Sequence, residues 1–320
     1  MQFNKDVLKI DSKKEIQRIT EFITDNLSAM NRNGIVVGLS GGIDSALIAA
    51  LCVEAIGKDK VFGLILPEKD SSPRSSQFAE KEAQRLGIET ETVDITPFLE
   101  SFGTYQKRDS IVQSIFPEYN DDCKLKITLP GNILESNQLN IFKLNMINEK
   151  GETKTARPGK KELNGIIAAS NTKQRTRMLT LYYYAELKHY LVCGTTNRSE
   201  TIQGFFVKYG DGGVDLEPIA HLYKTQVYQL ARQLDISKEI IERKPTPDTY
   251  SAEVSDEEFY FRIPFEKLDL LLYAWENEIP VEQVCRAMDL SREQVERVFR
   301  DFKGKYSASK HMRELPPSLD

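Results

Sequence analysis

Cysteine and histidine are scarce: four cysteines and three histidines occur in 320 residues. Cys52, Cys123, Cys193 and Cys285 stand far apart, and no Cys-x-x-Cys pair exists. This argues against a structural zinc or a redox dithiol and fits reduced thiols in a cytoplasmic protein. No apolar run is long enough to span a bilayer, and the polar opening Met1–Asp6 does not read as a secretory leader. No membrane partner is expected. A basic excess is missing too: the formal net charge is −5, so electrostatics gives no ground for a nucleic-acid partner. There is no internal repeat and no low-complexity tract. What remains is ordinary for a globular chain, with 40% hydrophobic and 28% charged residues. The length allows one large α/β domain, with or without an appendage.

The stretch that organises the chain is Gly38-Leu39-Ser40-Gly41-Gly42-Ile43-Asp44-Ser45. An apolar run, Gly34–Val37, precedes it and an apolar helical pattern follows. Strand, glycine turn and helix N-terminus gather backbone N–H groups and a helix dipole around one point, which suits a phosphate. Gly41 and Gly42 let the main chain approach an anion, Ser40 and Ser45 add hydroxyls, and Asp44 offers a carboxylate to magnesium. No Gly-Lys-Ser/Thr follows, so this is not a Walker P-loop. The plain alternative is an ordinary strand-to-helix turn.

Read in order, the spacing predicts an amphipathic helix over Lys13–Met30, a strand over Gly34–Leu39 and a buried helix over Asp44–Ile56. Val61–Leu66 reads as a second strand. Arg74–Leu86 reads as a helix closed by Gly87, and Glu91–Ile95 as a third strand. Alternating strands and helices imply a doubly wound, mainly parallel sheet with its site at the strands' carboxyl ends. Pro97–Phe116 is expected to be helical with Thr96 as N-cap. Residues 119–169 break the rhythm. Lys124–Leu129, Asn140–Ile147 and Glu152–Thr155 alternate in polarity around a Glu149-Lys150-Gly151 turn, which predicts a β-hairpin-like insertion. It reads as a solvated elaboration, or more sharply as a lid or partner surface. Arg157–Lys161 suits an exposed loop, Asn171–Tyr190 a long helix and Tyr190–Cys193 a fourth strand. Phe205–Asp215 is a glycine-rich loop and Tyr223–Leu234 an amphipathic helix. Lys244–Glu258 suggests a mobile loop over a site, and residues 264–303 a helical C-terminal region.

The six residues Ser40–Ser45 resemble the loop of ATP pyrophosphatases, which cleave ATP to AMP and pyrophosphate. Later blocks resemble NAD synthetase in order and spacing. They are Asn171-x-Lys173-x-Arg175-x-Arg177-Met178, Gly194-Thr195-x-Asn197-x-Ser199-Glu200 and Gly204-Phe205-Phe206-x-Lys208-Tyr209-Gly210-Asp211-Gly212-Gly213-x-Asp215. Leu222–Val227, Lys244-Pro245-Thr246 and His311-Met312-Arg313-x-x-Pro316 continue the match. Met312 departs from the lysine that frequently follows the histidine. The resemblance covers nearly everything except about residues 119–169 and implies one domain over 1–320 with an adenine nucleotide alpha hydrolase-like fold. It implies that Gly38, Leu39, Ser40, Gly41, Gly42, Ile43, Asp44 and Ser45 cradle the ATP phosphates. Thr195, Lys224 and Thr246 would contact ATP, and Asp44 and Glu200 would bind Mg²⁺. Arg175, Lys208, Asp215 and His311 would contact deamido-NAD. A homodimer is implied, with Asn171–Tyr190 in or near its interface. Asp44, Glu200, Lys208 and Lys224 would carry the catalysis.

The implied reaction is amidation of deamido-NAD by ammonia. A carboxylate resists ammonia, whereas an acyl-adenylate does not. Joining two anions needs cations and fixed dipoles around the phosphates, which Arg175, Lys208, Lys224 and Mg²⁺ would supply. No Ser/His/Asp set is apparent and no side-chain nucleophile is needed. No glutaminase segment is visible either, so a separate glutaminase is a possible partner. Each residue also has a plainer reading. Glu200 and His311 would face water, Lys208 and Asp215 would belong to a solvated turn, Lys224 would be a surface lysine and Thr246 a loop threonine. Three rivals stand beside the reaction. One is an amide ligase for another carboxylate. A second is a non-catalytic nucleotide binder. The third is a DNA-binding protein using Val281–Leu290 and Arg292–Phe302, although a Ser291/Gln294 capping box explains that join without DNA.

Overall fold

A computed structural model describes residues 3–136 and 140–319. Four strands form a parallel sheet in the order β3-β2-β1-β7: β1 (Ile35–Gly38), β2 (Val61–Ile65), β3 (Glu89–Thr92) and, much later in the chain, β7 (Leu191–Cys193). Side chains alternate across it as the pleat requires. Ile35, Val37, Val61, Ile65, Leu191 and Cys193 face one helical layer, and Val36, Phe62, Leu64 and Val192 face the other. The first layer holds α1 (Ser12–Ala29), α2 (Ile43–Ile56), α3 (Pro73–Leu86) and α8 (Lys224–Gln233). The second is built from α4 (Thr96–Ser101), α5 (Thr104–Ile115) and the long α6 (Lys160–Lys188). The short α7 (Arg198–Gln203) follows β7, and α9 (Lys238–Ile241) follows α8.

The chain steps outward from β1 to β2 and β3, then returns to the other side of β1 as β7. The direction of winding reverses between β1 and β7, so their carboxyl ends border an open crevice. Both expected loops, after Gly38 and after Cys193, open there.

Three boundaries differ from the sequence expectation. β3 lies two residues earlier than Glu91–Ile95, because Ile95 is fully buried and begins the turn into α4. The helix expected over Pro97–Phe116 is two helices, broken where Gly103 adopts φ 73°. Thr96 is not the cap; it lies inside α4, and its N–H donates to Asp94 Oδ1 at 2.8 Å. The long helix begins at Lys160 rather than Asn171, so part of the basic stretch taken for a loop is helical.

Residues 119–169 form more than a hairpin. β4 (Lys124–Thr128), β5 (Lys143–Ile147) and β6 (Thr153–Ala156) make a three-stranded antiparallel sheet, with Leu125 opposite Met146 and Ile127 opposite Leu144. Those four side chains are buried against Val112 of α5, Phe116 just after it, Ile166 of α6, and Tyr250 and Val254. The reading as a solvated elaboration is corrected: one face of this sheet is core. Its outer strand also holds the 244–258 segment, expected to be a mobile loop. Leu125 O accepts from Ala252 N–H and Leu125 N–H donates to Ser251 Oγ, both at 2.9 Å.

The C-terminal region packs α10 (Phe265–Glu276), α11 (Val281–Met288), α12 (Arg292–Ala308) and α13 (Lys310–Arg313). α10, α11 and α12 share a core with Leu268, Val284, Val295 and Phe302. Ser291 and Gln294 do form a capping box. Arg292 pairs with Glu282 and Glu296, and Arg297 pairs with Glu293.

Leu125→Ala tests whether the second sheet is part of the core. Leu125 is 2% exposed, so the substitution is expected to cost about 2–5 kcal/mol in urea unfolding. A solvated elaboration would lose under about 0.5 kcal/mol.

Candidate active site

The crevice between β1 and β7 opens into a cavity of about 540 Å³. Its floor is the loop from Gly38 to Ser45. Gly42 caps α2 without a side-chain bond, so the first amides of α2 are left for a ligand. Ser40 and Ser45 hydroxyls lie 3.0 Å apart, and Ser45 Oγ donates to Gly42 O at 3.0 Å. Gly41 has φ 71°, and a Cβ there would sit 2.2 Å from Ser75 O. The glycine is needed for the loop's seat on α3, and Gly41 itself does not line the cavity.

Asp44 lies in the first turn of α2. Its Oδ2 accepts from Lys224 Nζ at 2.5 Å, and its Oδ1 accepts from Asn197 Nδ2 at 3.0 Å. Lys224 Nζ also donates to Glu200 Oε1 at 3.1 Å. Lys224 is 1% exposed, so it is not a surface lysine. Glu200 does not simply face water either. It stands at the third position of α7, where Asn197 and Glu200 form a capping box. Glu200 Oε2 accepts the Asn197 N–H while Oε1 reaches Lys224. The N-terminus of α8 is fixed by fully buried Asp269 of α10, which accepts from Ser199 Oγ at 2.6 Å and Thr225 N–H at 2.7 Å. Burial pushes the Asp269 carboxyl up to about 6, against those donors.

The cluster carries more acid than base. Lys224 feels Asp44, Glu200 and Asp256 together. Although burial opposes its charge, these carboxylates hold its ammonium pKa well above the usual lysine value. Burial raises the Glu200 carboxyl; the Lys224 charge opposes that rise, and the like charges of Asp44 and Asp256 add to it. Asp256 is buried, and its Oδ1 has no partner among the described residues. Such a set fits a hard divalent cation. Among the described residues no three acidic, histidine or cysteine side chains converge on one point. Further magnesium ligands would therefore be phosphate oxygens and water.

The structure brings Gly38, Leu39, Ser40, Gly42, Ile43, Asp44, Ser45, Thr195, Glu200, Lys224 and Thr246 together around one cavity. Arg175, Lys208, Asp215 and His311 do not line it. Lys208 Nζ donates to the carbonyls of His311 at 2.7 Å and Glu314 at 3.2 Å, and Arg175 Nε donates to Lys208 O at 3.3 Å. Asp215 is anchored at β7, where Oδ2 accepts Val192 N–H at 2.8 Å and Oδ1 accepts the Tyr182 hydroxyl at 3.1 Å.

Several cavity residues were not assigned from sequence. Arg243 donates to Gly41 O at 3.2 Å and to Ser75 Oγ at 2.9 Å. Arg177 donates to Leu66 O at 3.1 Å and Ser71 Oγ at 3.3 Å. Both line the cavity, and no local pattern marks Arg243. Asn197 was legible in principle, since an Asn with Glu three residues on is a capping signature.

Comparison with known proteins places the chain in a family. The NAD synthase family model matches residues 15–128 and 117–316. The chain is 43% identical over 311 residues to the NH(3)-dependent NAD(+) synthetase of Mesorhizobium japonicum, covering 97% of each. It is 37% identical over 306 residues to that of Thermotoga maritima, covering 95% of this chain and 99% of the other. Among solved structures, an NH3-dependent NAD synthetase from Campylobacter jejuni in complex with nitrate superposes with a TM-score of 0.65. Its identity is 24%, over 98% of this chain and 100% of that one. An NMN synthetase from Francisella tularensis gives 0.68 at 22% identity, with the same coverage. The two structures speak for the fold alone, and the sequence relatives for the family. The chain belongs to the NAD synthase family.

Proposed function

We propose that this protein is a carbon–nitrogen ligase that joins ammonia to the carboxylate of deamido-NAD, consuming ATP and releasing AMP and pyrophosphate. The observation that carries this reading is the meeting of Asp44, Glu200 and Lys224 beside the uncapped N-terminus of α2. Relatives named as NH(3)-dependent NAD(+) synthetases, 37% and 43% identical over nearly the whole chain, support the choice of substrates. The NMN synthetase shares the fold at 22% identity, which does not favour a different acid.

The chemistry follows from the charges. A carboxylate carbon is electron-rich and has no good leaving group. Transfer of adenylate from ATP to the acid forms a mixed anhydride and releases pyrophosphate. Ammonia then attacks the acyl carbon and AMP departs. The first step brings anions together, so the site must hold positive charge and oriented dipoles. The amides of α2, Lys224, Arg177, Arg243 and Lys244 border the cavity. When bound, magnesium supplies charge neutralisation at the phosphates, and Asp44 and Glu200 are the residues proposed to hold it. Thr195 and Thr246 are proposed to contact ATP. Arg175, Lys208, Asp215 and His311 lie outside the cavity and are proposed to hold deamido-NAD.

A homodimer is also proposed. Leu179, Tyr183 and Leu187 are 60%, 62% and 67% exposed. Spaced by four, they form an apolar stripe on one face of α6 that Arg175 extends. A second copy covering this stripe would approach the proposed deamido-NAD residues.

Pyrophosphate release with ATP, Mg²⁺ and ammonium, run against deamido-NAD and a panel of other acids, tests the reaction. Deamido-NAD is expected to give the highest kcat/KM.

Asp44→Asn and Glu200→Gln are each expected to lower kcat/KM at least about 100-fold. Both keep a side-chain hydrogen-bonding shape, and glutamine preserves the capping box, but each takes one carboxylate from the buried Lys224 ammonium, so the melting temperature is expected to fall and turnover is compared at a temperature where both variants are folded. Near-normal turnover in either variant refutes the metal assignment.

Leu187→Glu is expected to yield monomer by light scattering at micromolar protein, where the unaltered chain is dimeric. A monomeric unaltered chain with full activity refutes the dimer.

The isolated chain is expected to use ammonium chloride and not glutamine. Cys52, Cys123 and Cys193 are buried and Cys285 is half-buried. Hydrogen bonding to Cys52 and burial raise the Cys193 thiol well above its ordinary value, the opposite of an activated nucleophile. His189 lies against Arg32 and His221 against Glu15, so neither of them serves a thiol. Glutamine use that appears only with an added glutaminase would identify a separate partner. Glutamine use by the chain alone, abolished by Cys123→Ser, would overturn the prediction.

A further inference from the structure

A second charged cluster lies outside the cavity and has no part in the proposed chemistry. Its centre is Lys173 of α6, which is 2% exposed. An ammonium has three N–H donors, and here each has a partner. Nζ donates to Glu68 Oε1 at 3.0 Å, to Asp70 Oδ2 at 2.6 Å and to the backbone carbonyl of Thr249 at 2.8 Å. The carboxylates are held in turn. The Tyr105 hydroxyl donates to Glu68 Oε2 at 2.7 Å, and Arg108 pairs with Asp70 and with Asp109. Burial pushes the Asp70 carboxyl up, but the Lys173 and Arg108 charges outweigh it and hold it below its usual value.

Three chain segments meet at this one nitrogen, and each forms a wall of the nucleotide cavity. The loop after β2 contributes Ser71, α6 contributes Gln174 and Arg177, and the segment 244–250 contributes Thr246. The last of these contains Pro245 and Pro247 and has no regular structure. It is fastened to the β2 loop a second time, where Ser72 N–H donates to Asp248 Oδ1 at 3.1 Å. Buried ion pairs seldom repay their desolvation as stability compared with apolar packing. This one has a geometric consequence instead: it fixes a segment that lines the cavity relative to two of the cavity's other walls.

We propose that Lys173, through its bond to the Thr249 carbonyl, is a positioning residue that holds the 244–250 strap in its ATP-binding conformation. The inference rests on the reading of the cavity as an ATP site. Without the bond, the strap must be ordered when ATP binds. ATP affinity falls, while the chemistry at saturating ATP is little altered.

The test is steady-state kinetics on the full chain, with hydrogen exchange over 244–258 and thermal melting. Lys173→Met removes the donor at similar length. It is expected to raise the KM for ATP about 10- to 100-fold, leave kcat within about threefold and speed amide exchange in the strap. Glu68→Gln weakens the same cluster but leaves the Thr249 bond. It is expected to lower the melting temperature while the KM for ATP stays within about threefold. Overturning results are an unchanged ATP KM in Lys173→Met, or an equal rise in Glu68→Gln. Should Lys173→Met fail to fold, Lys173→Arg keeps a cation for Glu68 and Asp70 while moving the donor away from the Thr249 carbonyl. A rise of threefold or more in its ATP KM supports the proposal, and an unchanged value overturns it. Failure of the unaltered chain to saturate with ATP would instead refute the underlying ATP reading.

Discussion

The buried ammonium of Lys224 is the constraint on which the site depends. It joins Asp44, at the start of α2, to Glu200, in the first turn of α7. These elements follow β1 and β7, the strands on either side of the point where the sheet's winding reverses. Without a cation between them, two carboxylates in a half-buried crevice would repel and drive water or protons into the site. With it, the Gly38–Ser45 loop and the Thr195–Glu200 turn are tied together. Polar groups extend outward from this centre. Asn197 bridges Asp44 and the α7 cap, Ser199 bridges Asp269 and the Lys224 amide, and Asp269 accepts from the Thr225 amide of α8.

The cavity walls show how the fold keeps an adaptable segment in place without making it part of a regular layer. The 244–258 stretch carries site residues, yet it lies between the main sheet and the smaller antiparallel one. It borrows backbone partners from β4 on one side, and the Lys173 ammonium of α6 and the Ser72 N–H of the β2 loop on the other. The small sheet is thus more than decoration. Its buried face, Leu125, Ile127, Leu144 and Met146, supports Tyr250 and Val254 from beneath. Loss of that apolar support would reach the cavity although no strand residue enters the chemistry.

Much of this was legible in the sequence because the signals were local. The Gly38–Ser45 pattern between an apolar run and an apolar helix reads as a strand, a glycine turn and a helix N-terminus, and the structure has that arrangement. Gly87 closed α3 and the Ser291/Gln294 pair opened α12 as their chemistry requires, because caps act within a few residues. Alternation in Lys124–Leu129 and Asn140–Ile147 declared strands, which the structure has at Lys124–Thr128 and Lys143–Ile147. Where local rules competed, the sequence misled. Thr96 next to Pro97 reads as a cap, but the buried Ile95 side chain sets the start of α4 one residue earlier. Gly103 reads as an interruption only once its left-handed conformation is known.

The sequence by itself therefore determined the kind of sheet, the position of the Gly38–Ser45 loop and the residue types available for cations and anions. Those follow from period, caps and turn chemistry, which operate over a few residues. Only the tertiary structure decided which charges meet. Lys224 lies 180 positions from Asp44, Lys173 lies 103 from Asp70, and Arg243 lies 202 from Gly41. No local pattern can distinguish a buried lysine shared by two carboxylates from a lysine in water. The difference is made by desolvation, and desolvation depends on which distant segments the winding of the sheet brings together.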